Sequence, residues 1–135
     1  MLKGNNKYCG PAVIAELLKT DTDTAAQHIR WISGQRAVRG AYTVHLLTLI
    51  QKRNGIISQL SSIINKPCWQ IVKSRALTLL VVRTSCGGSH FMLAERSKLF
   101  DNHSKQWVKA KDHIHRNAIV KEAYEIRRKP KKIKE

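Results

Sequence analysis

A chain of 135 residues with 42% hydrophobic side chains is long enough for one domain with a real core, which excludes a disordered or low-complexity polypeptide. Its three cysteines, Cys9, Cys68 and Cys86, are odd in number, widely spaced and without a C-x-x-C pair. That excludes a disulfide scaffold and a cysteine zinc site and fits a reducing compartment. The net charge of +16, from 25 Lys/Arg against 9 Asp/Glu, gives a positive field with non-specific affinity for nucleic acid or an acidic protein.

The first element is written in "CGPAVIAELL". Pro11 suits the first turn of a helix, where its missing N–H is not needed, and Val13, Ile14, Leu17 and Leu18 follow at helical spacing. The pattern predicts a helix over 10–19 with Cys9 at its N-terminal lip. There the backbone amides and the helix dipole favour a thiolate, the nucleophilic form of the side chain. "TDTDT" at 20–24 offers N-caps for a second helix that carries Ala25, Ala26, Ile29 and Ile32 and stops at Gly34. Residues 35–41 read as a basic loop. Thr43 caps a third helix with Val44, Leu46, Leu47, Leu49 and Ile50 inward, ended by Asn54-Gly55. "IISQ" is a short strand, and "INKPCWQIVKS" a turn plus a short helix with Pro67 in its first turn.

The period then changes. "ALTLLVVRT" at 76–84 is continuous, apolar and β-branched, as a buried central strand should be. "CGGS" makes a turn, "HFMLAE" at 90–95 a second strand, and "KLFDN" at 98–102 a third. "WVKAKDHI" reads as loop or strand, and "IVKEAYEIRR" as a closing strand on Val120, Tyr124 and Ile126. Helices first and an antiparallel sheet afterwards is the α+β class. Residues 1–126 are expected to form a single domain and 127–135, "RRKPKKIKE", a flexible basic tail. No apolar run reaches membrane-spanning length, and the N-terminus lacks the apolar core of a signal peptide.

A nucleophilic cysteine needs a base. Of the six histidines, His28 and His45 fall on helices, and His103, His113 and His115 in a polar, basic region. His90 alone opens a strand beside the long apolar one. A hairpin turn centred between Glu95 and Arg96 sets His90 opposite Asp101, close enough for the carboxylate to fix the ring tautomer. A one-residue bulge puts Asn102 there instead. Oxyanion donors would be the backbone N–H of Cys9 and a side-chain amide from Asn5 or Asn6, with Asn6 preferred. Asp112-His113-Ile114-His115 lacks the further ligands of a metal pattern, so no metal and no cofactor are expected. Cys68 and Cys86 read as small buried apolar residues, and Trp31, Trp69 and Trp107 as core or rim packing.

Cysteine at a helix start, histidine on a later strand and Asp/Asn on the following strand is the chain order of papain-like cysteine peptidases. The sequence resembles in particular the small papain-like domains of bacteriophage genomes and, more distantly, the double-glycine leader peptidases. The resemblance is carried by "NKYCGPAVIAEL" (6–17), "RGAYTVHLLTLI" (39–50), "LTLLVV" (77–82), "GGSHFMLAE" (87–95) and "LFDN" (99–102). It implies a papain-like fold, Cys9 as nucleophile, His90 as base and acid, Asp101 as the orienting residue and Asn6 on the oxyanion side, acting on a peptide or protein substrate. Those families carry Gln or Asn at a tight offset before the cysteine, whereas Lys7 and Tyr8 intervene here. A phage origin would put the protein in the bacterial host cytoplasm or the virion. The alternative from a different class is a catalytically silent fold whose basic surface binds nucleic acid or an acidic host protein.

Overall fold

The computed structural model describes residues 1–34, 43–53, 55–70, 76–84 and 88–128. Residues 35–41 of the expected basic loop, Asn54, residues 71–75 of the expected short helix, Cys86 and Gly87 of the expected turn, and residues 129–135 lie outside the described residues.

Three α-helices come first among the described residues: α1 (Cys9–Leu18), α2 (Thr22–Ser33) and α3 (Thr43–Lys52). Helix α1 begins at Cys9 with Pro11 inside its first turn, and Gly10 to Ala15 are all buried. Its small residues let the first turns lie close against their neighbours. Lys19 ends it in the left-handed conformation, with φ 55°. Helix α2 is capped by Asp21, whose Oδ1 accepts the Thr24 N–H at 2.7 Å, and Gly34 stops it at φ 72°. In α3 the buried stripe is Leu46, Leu49 and Ile50, at i, i+3, i+4 spacing. Val44, expected inward, is 61% exposed because it lies off that stripe.

The strands β1 (Gly55–Gln59), β2 (Thr78–Arg83), β3 (Ser89–Glu95), β4 (Lys98–Phe100), β5 (Val108–Lys109) and β6 (Ile119–Arg128) form one antiparallel sheet in the order β1-β6-β2-β3-β4-β5. Between them are 3₁₀ turns at Cys68–Gln70 and Ala110–Asp112. The closing strand runs two residues into the segment read as tail. The architecture is α+β, helices against an antiparallel sheet.

Strand β2 explains its own composition. It sits between β6 and β3, and Thr78 to Val82 are buried whichever face they occupy. On one face Leu79 and Val81 join Phe91, Leu93 and Phe100 against the helices. On the other, Leu80 and Val82 join Met92, Ala94 and Val120 over the connecting segments, where the fully buried Cys68 also packs. Trp107 packs against Phe100, whereas Trp31 and Trp69 are 68% and 50% exposed and belong to the surface rather than the core.

The β3–β4 hairpin departs from the expected register. Its pairs are Leu93↔Phe100, Ala94↔Leu99 and Glu95↔Lys98, so the turn is the two residues Arg96 and Ser97. Both have positive φ, 50° and 65°, the geometry of the mirror-image hairpin turn that Asn-Gly normally signals. An Arg-Ser pair carries no such signal. The ladder ends at Phe100, so His90 has no directly opposed partner on β4, and Asp101 follows the strand instead of lying in it.

Holding arginine in the left-handed region has a cost that asparagine reduces. Arg96→Asn is expected to stabilise the fold by roughly 0.5 kcal/mol, read as a higher urea midpoint with an unchanged slope. A lower midpoint would contradict the turn geometry.

Candidate functional site

The path of the chain into α1 is set by a segment that lies across the start of α2. Gly4 has φ 112°, and a Cβ there would meet the Thr22 Oγ1 at 2.3 Å and the Thr22 backbone nitrogen at 2.7 Å. That close approach lets the Thr22 N–H donate to the Lys3 carbonyl at 2.8 Å and the Asn5 N–H to the Asp23 carboxylate at 2.9 Å. The far side of the segment is tied to the loop after β4, where the Leu2 N–H donates to the Lys105 carbonyl and Asn102 Nδ2 to the Lys7 carbonyl, both at 2.8 Å. Cys9 thus starts α1 beside the β3–β4 region, 81 positions before His90 in the chain.

The Cys9 thiol is partly buried beside His90 and the backbone N–H groups of Phe91 and Gly10, which favour its ionised form. Burial alone would push the thiol up. These neighbours and the imidazolium charge outweigh it, so Cys9 lies below the ordinary thiol value. His90, second residue of β3, turns its Nε2 to Asp101 Oδ2 at 2.8 Å, which leaves Nδ1 for the sulfur. Burial favours neutral His90, but the bonds to Asp101 and Cys9 prevail and raise its pKa to about 9. The pair therefore favours thiolate and imidazolium together.

Asp101 is fully buried and its two oxygens are used differently. Oδ2 faces His90. Oδ1 accepts the Ser104 N–H at 2.8 Å, the His103 N–H at 3.1 Å and His113 Nε2–H at 3.1 Å. Desolvation opposes ionisation, but the bonds from His113, His90 and Ser104 hold the carboxyl well below the usual carboxylate range. His113, itself fully buried, accepts the His115 N–H on Nδ1 at 2.9 Å, which fixes its tautomer with Nε2 as donor.

The structure brings Cys9, His90 and Asp101 together. Asn102, the alternative partner for His90, reaches the Lys7 carbonyl instead. Asn6 Oδ1 accepts the Tyr8 N–H at 3.0 Å, and Asn5 is held through its backbone. Both border a cleft of about 700 Å³ also lined by Lys7, Asn102, His103 and His115. The sequence reading left three histidines of this site unassigned. His113 supports the Asp101 carboxylate, His103 stacks on His90 with ring centroids 5.3 Å apart, and His115 lies 5.0 Å from the same ring. The signals were Asp101-x-His103-Ser104, a turn in which the carboxylate takes its own backbone N–H groups, and the two-residue spacing of His113 and His115.

No protein-family model matches the chain, and no curated protein matches it in sequence. Among solved structures it is similar to the peptidase domain of Streptococcus ComA, a bi-functional ABC transporter involved in a quorum-sensing pathway. The likeness covers 96% of this chain and 97% of that domain, with a TM-score of 0.55 and 10% identity. The chain and that domain share a fold. At this identity the likeness concerns fold alone, and the chemistry rests on the side chains present here. Among the described residues no helix is long and apolar enough to cross a membrane.

The electrostatics predict unequal cysteines. Cys68 is buried, which pushes its thiol up to about 12. Iodoacetamide at neutral pH is expected to alkylate Cys9 well ahead of Cys68, with the Cys9 rate falling as acid protonates its thiolate. His90→Ala should slow Cys9 by roughly tenfold or more. Site-resolved mass spectrometry measures both, and equal rates at Cys9 and Cys68 would contradict the electrostatics.

Proposed function

We propose that this protein is a papain-like cysteine peptidase, or an amidase or acyl transferase of the same chemistry, acting on a peptide or protein through Cys9, His90 and Asp101. The observation that carries this is one imidazole held between a helix-start thiol and a buried carboxylate, with Nε2 spent on Asp101 at 2.8 Å. The peptidase-domain fold supports it.

In the reaction the Cys9 thiolate attacks the substrate carbonyl carbon, and the charge moves to the carbonyl oxygen. The backbone N–H of Cys9 and the amide of Asn6 are the donors assigned to that oxygen. Asn6 Oδ1 is occupied by the Tyr8 N–H, which leaves Nδ2 as the donor. As the tetrahedral intermediate collapses, the C–N bond breaks and the amine leaves with the proton from His90 Nδ1. Water, or a second amine in a transferase, then attacks the thioester carbonyl while His90 takes its proton. The C–S bond breaks, the acyl product departs and the thiolate–imidazolium pair is restored. Asp101 keeps the ring oriented and favours its protonated form throughout. It is a positioning residue that does not take up the proton.

The pH dependence follows from the two shifts. Activity rises as Cys9 ionises, below the ordinary thiol range, and falls as His90 loses its proton near pH 9. Asp101→Asn removes the charge that raises His90, so the alkaline limb is expected to move to lower pH, with kcat reduced by roughly two orders of magnitude. Cys9→Ala should abolish turnover while the fold persists by circular dichroism. A peptide-library digest with mass-spectrometric readout, together with a thiol-directed activity probe, tests this. Undiminished turnover in Cys9→Ala, or an Asp101→Asn profile that does not shift, would overturn it.

A further inference from the structure

His103 and His115 have no part in the proposed thiol chemistry, yet they converge on its carboxylate. His103 Nδ1 and His115 Nε2 lie 2.8 Å apart, and each approaches Asp101 Oδ2, at 3.7 and 3.8 Å. With His90 included, one donor atom from each of the four residues lies within 4.8 Å of every other. Two nitrogens and one carboxylate oxygen therefore make a triangle with sides of 2.8, 3.7 and 3.8 Å. Zinc–nitrogen bonds of about 2.0–2.1 Å at tetrahedral angles require donor–donor edges of roughly 3.3 Å, so small rotations of two imidazoles reach the required spacing.

We propose that His103, His115 and Asp101 form a binding site for a divalent transition-metal ion of the zinc class, with His90 Nε2 as the fourth donor. Imidazole and carboxylate are the donors that zinc and cobalt(II) accept together. The supporting contacts are in place. Asp101 Oδ1 is held by His113 and by two backbone N–H groups, which aims Oδ2 at the histidines. An entry path exists as well, because His103 and His115 line the 700 Å³ cleft and the His103 side chain is 54% exposed.

Occupancy has a consequence for the site beside it. A metal drawing on Asp101 Oδ2 and His90 Nε2 breaks the hydrogen bond between them and withdraws the base from Cys9. The ion then acts as a reversible inhibitor. That consequence rests on the peptidase reading; metal binding does not.

The experiment uses the tag-free full chain, stripped with chelator. Zinc affinity and stoichiometry are measured by calorimetry, and cobalt(II) coordination by its visible d–d absorption. One ion per chain is expected, with binding retained in Cys9→Ala and weakened roughly 100-fold or more in His103→Ala/His115→Ala. Circular dichroism checks the double variant, and the exposed single variant His103→Gln replaces it if the fold is lost. An affinity in the histidine variant within about threefold of the parent would overturn the site, as would binding that disappears in Cys9→Ala. Thiol reactivity and turnover measured in chelator report on the peptidase reading separately, so either can fail alone.

Discussion

One carboxylate without solvent contact organises this end of the molecule. A buried charge is tolerated only when its lone pairs are satisfied, and the effective cost of desolvating one is several kcal/mol. Asp101 meets that requirement with donors from three places: His90 on β3, His113 beyond the second 3₁₀ turn, and the N–H groups of the loop it begins. Each donor is thereby fixed in position. Because the loop 101–106 is folded around the carboxylate, its Lys105 carbonyl and Asn102 amide are presented to the N-terminal segment, whose path decides where Cys9 stands. A buried pair of this kind contributes geometry more surely than net stability.

The sheet supplies the frame for that charge. With β2 covered on both faces, β3 is held as an interior strand, and the position of His90 near its start follows from the ladder with β2, where Val82 is its partner. The helix layer fixes the other component, since α1, with its small, buried first turns, packs against β3. Cys9 and His90 are thus carried on two regular elements, while the Asp101 carboxylate sits on a loop whose own hydrogen bonds make it rigid.

Much of this was legible from residue types. The Cys-Gly-Pro start of α1, the Asp21 cap and Gly34 stop of α2, and the two-sided apolar run of β2 each follow from local chemistry that the tertiary structure reinforces. The His90–Asp101 contact was anticipated through a register that is wrong by two residues. An even error keeps both side chains on the same face of the sheet, so the two residue types still meet, now diagonally and beyond the end of the ladder. What could not be read was anything depending on the fold of a loop. The inward orientation of His113, the meeting of His103 with His115, and the diversion of Asn102 to Lys7 arise from backbone turns that bring residues 101–106 and 113–115 together. No periodic pattern encodes that meeting.

The strand order has a consequence for biogenesis. Strand β6 is inserted between β1 and β2, although it is the last of the six to be synthesised. Until it arrives, the inner edges of β1 and β2 have no partner, and the two faces of β2 lack the neighbour that closes the core. Contacts spanning such a sequence separation form late and slowly. A nascent chain therefore emerges with its cysteine far from any completed sheet, and the meeting of Cys9 with His90 and Asp101 waits until β6 has been made.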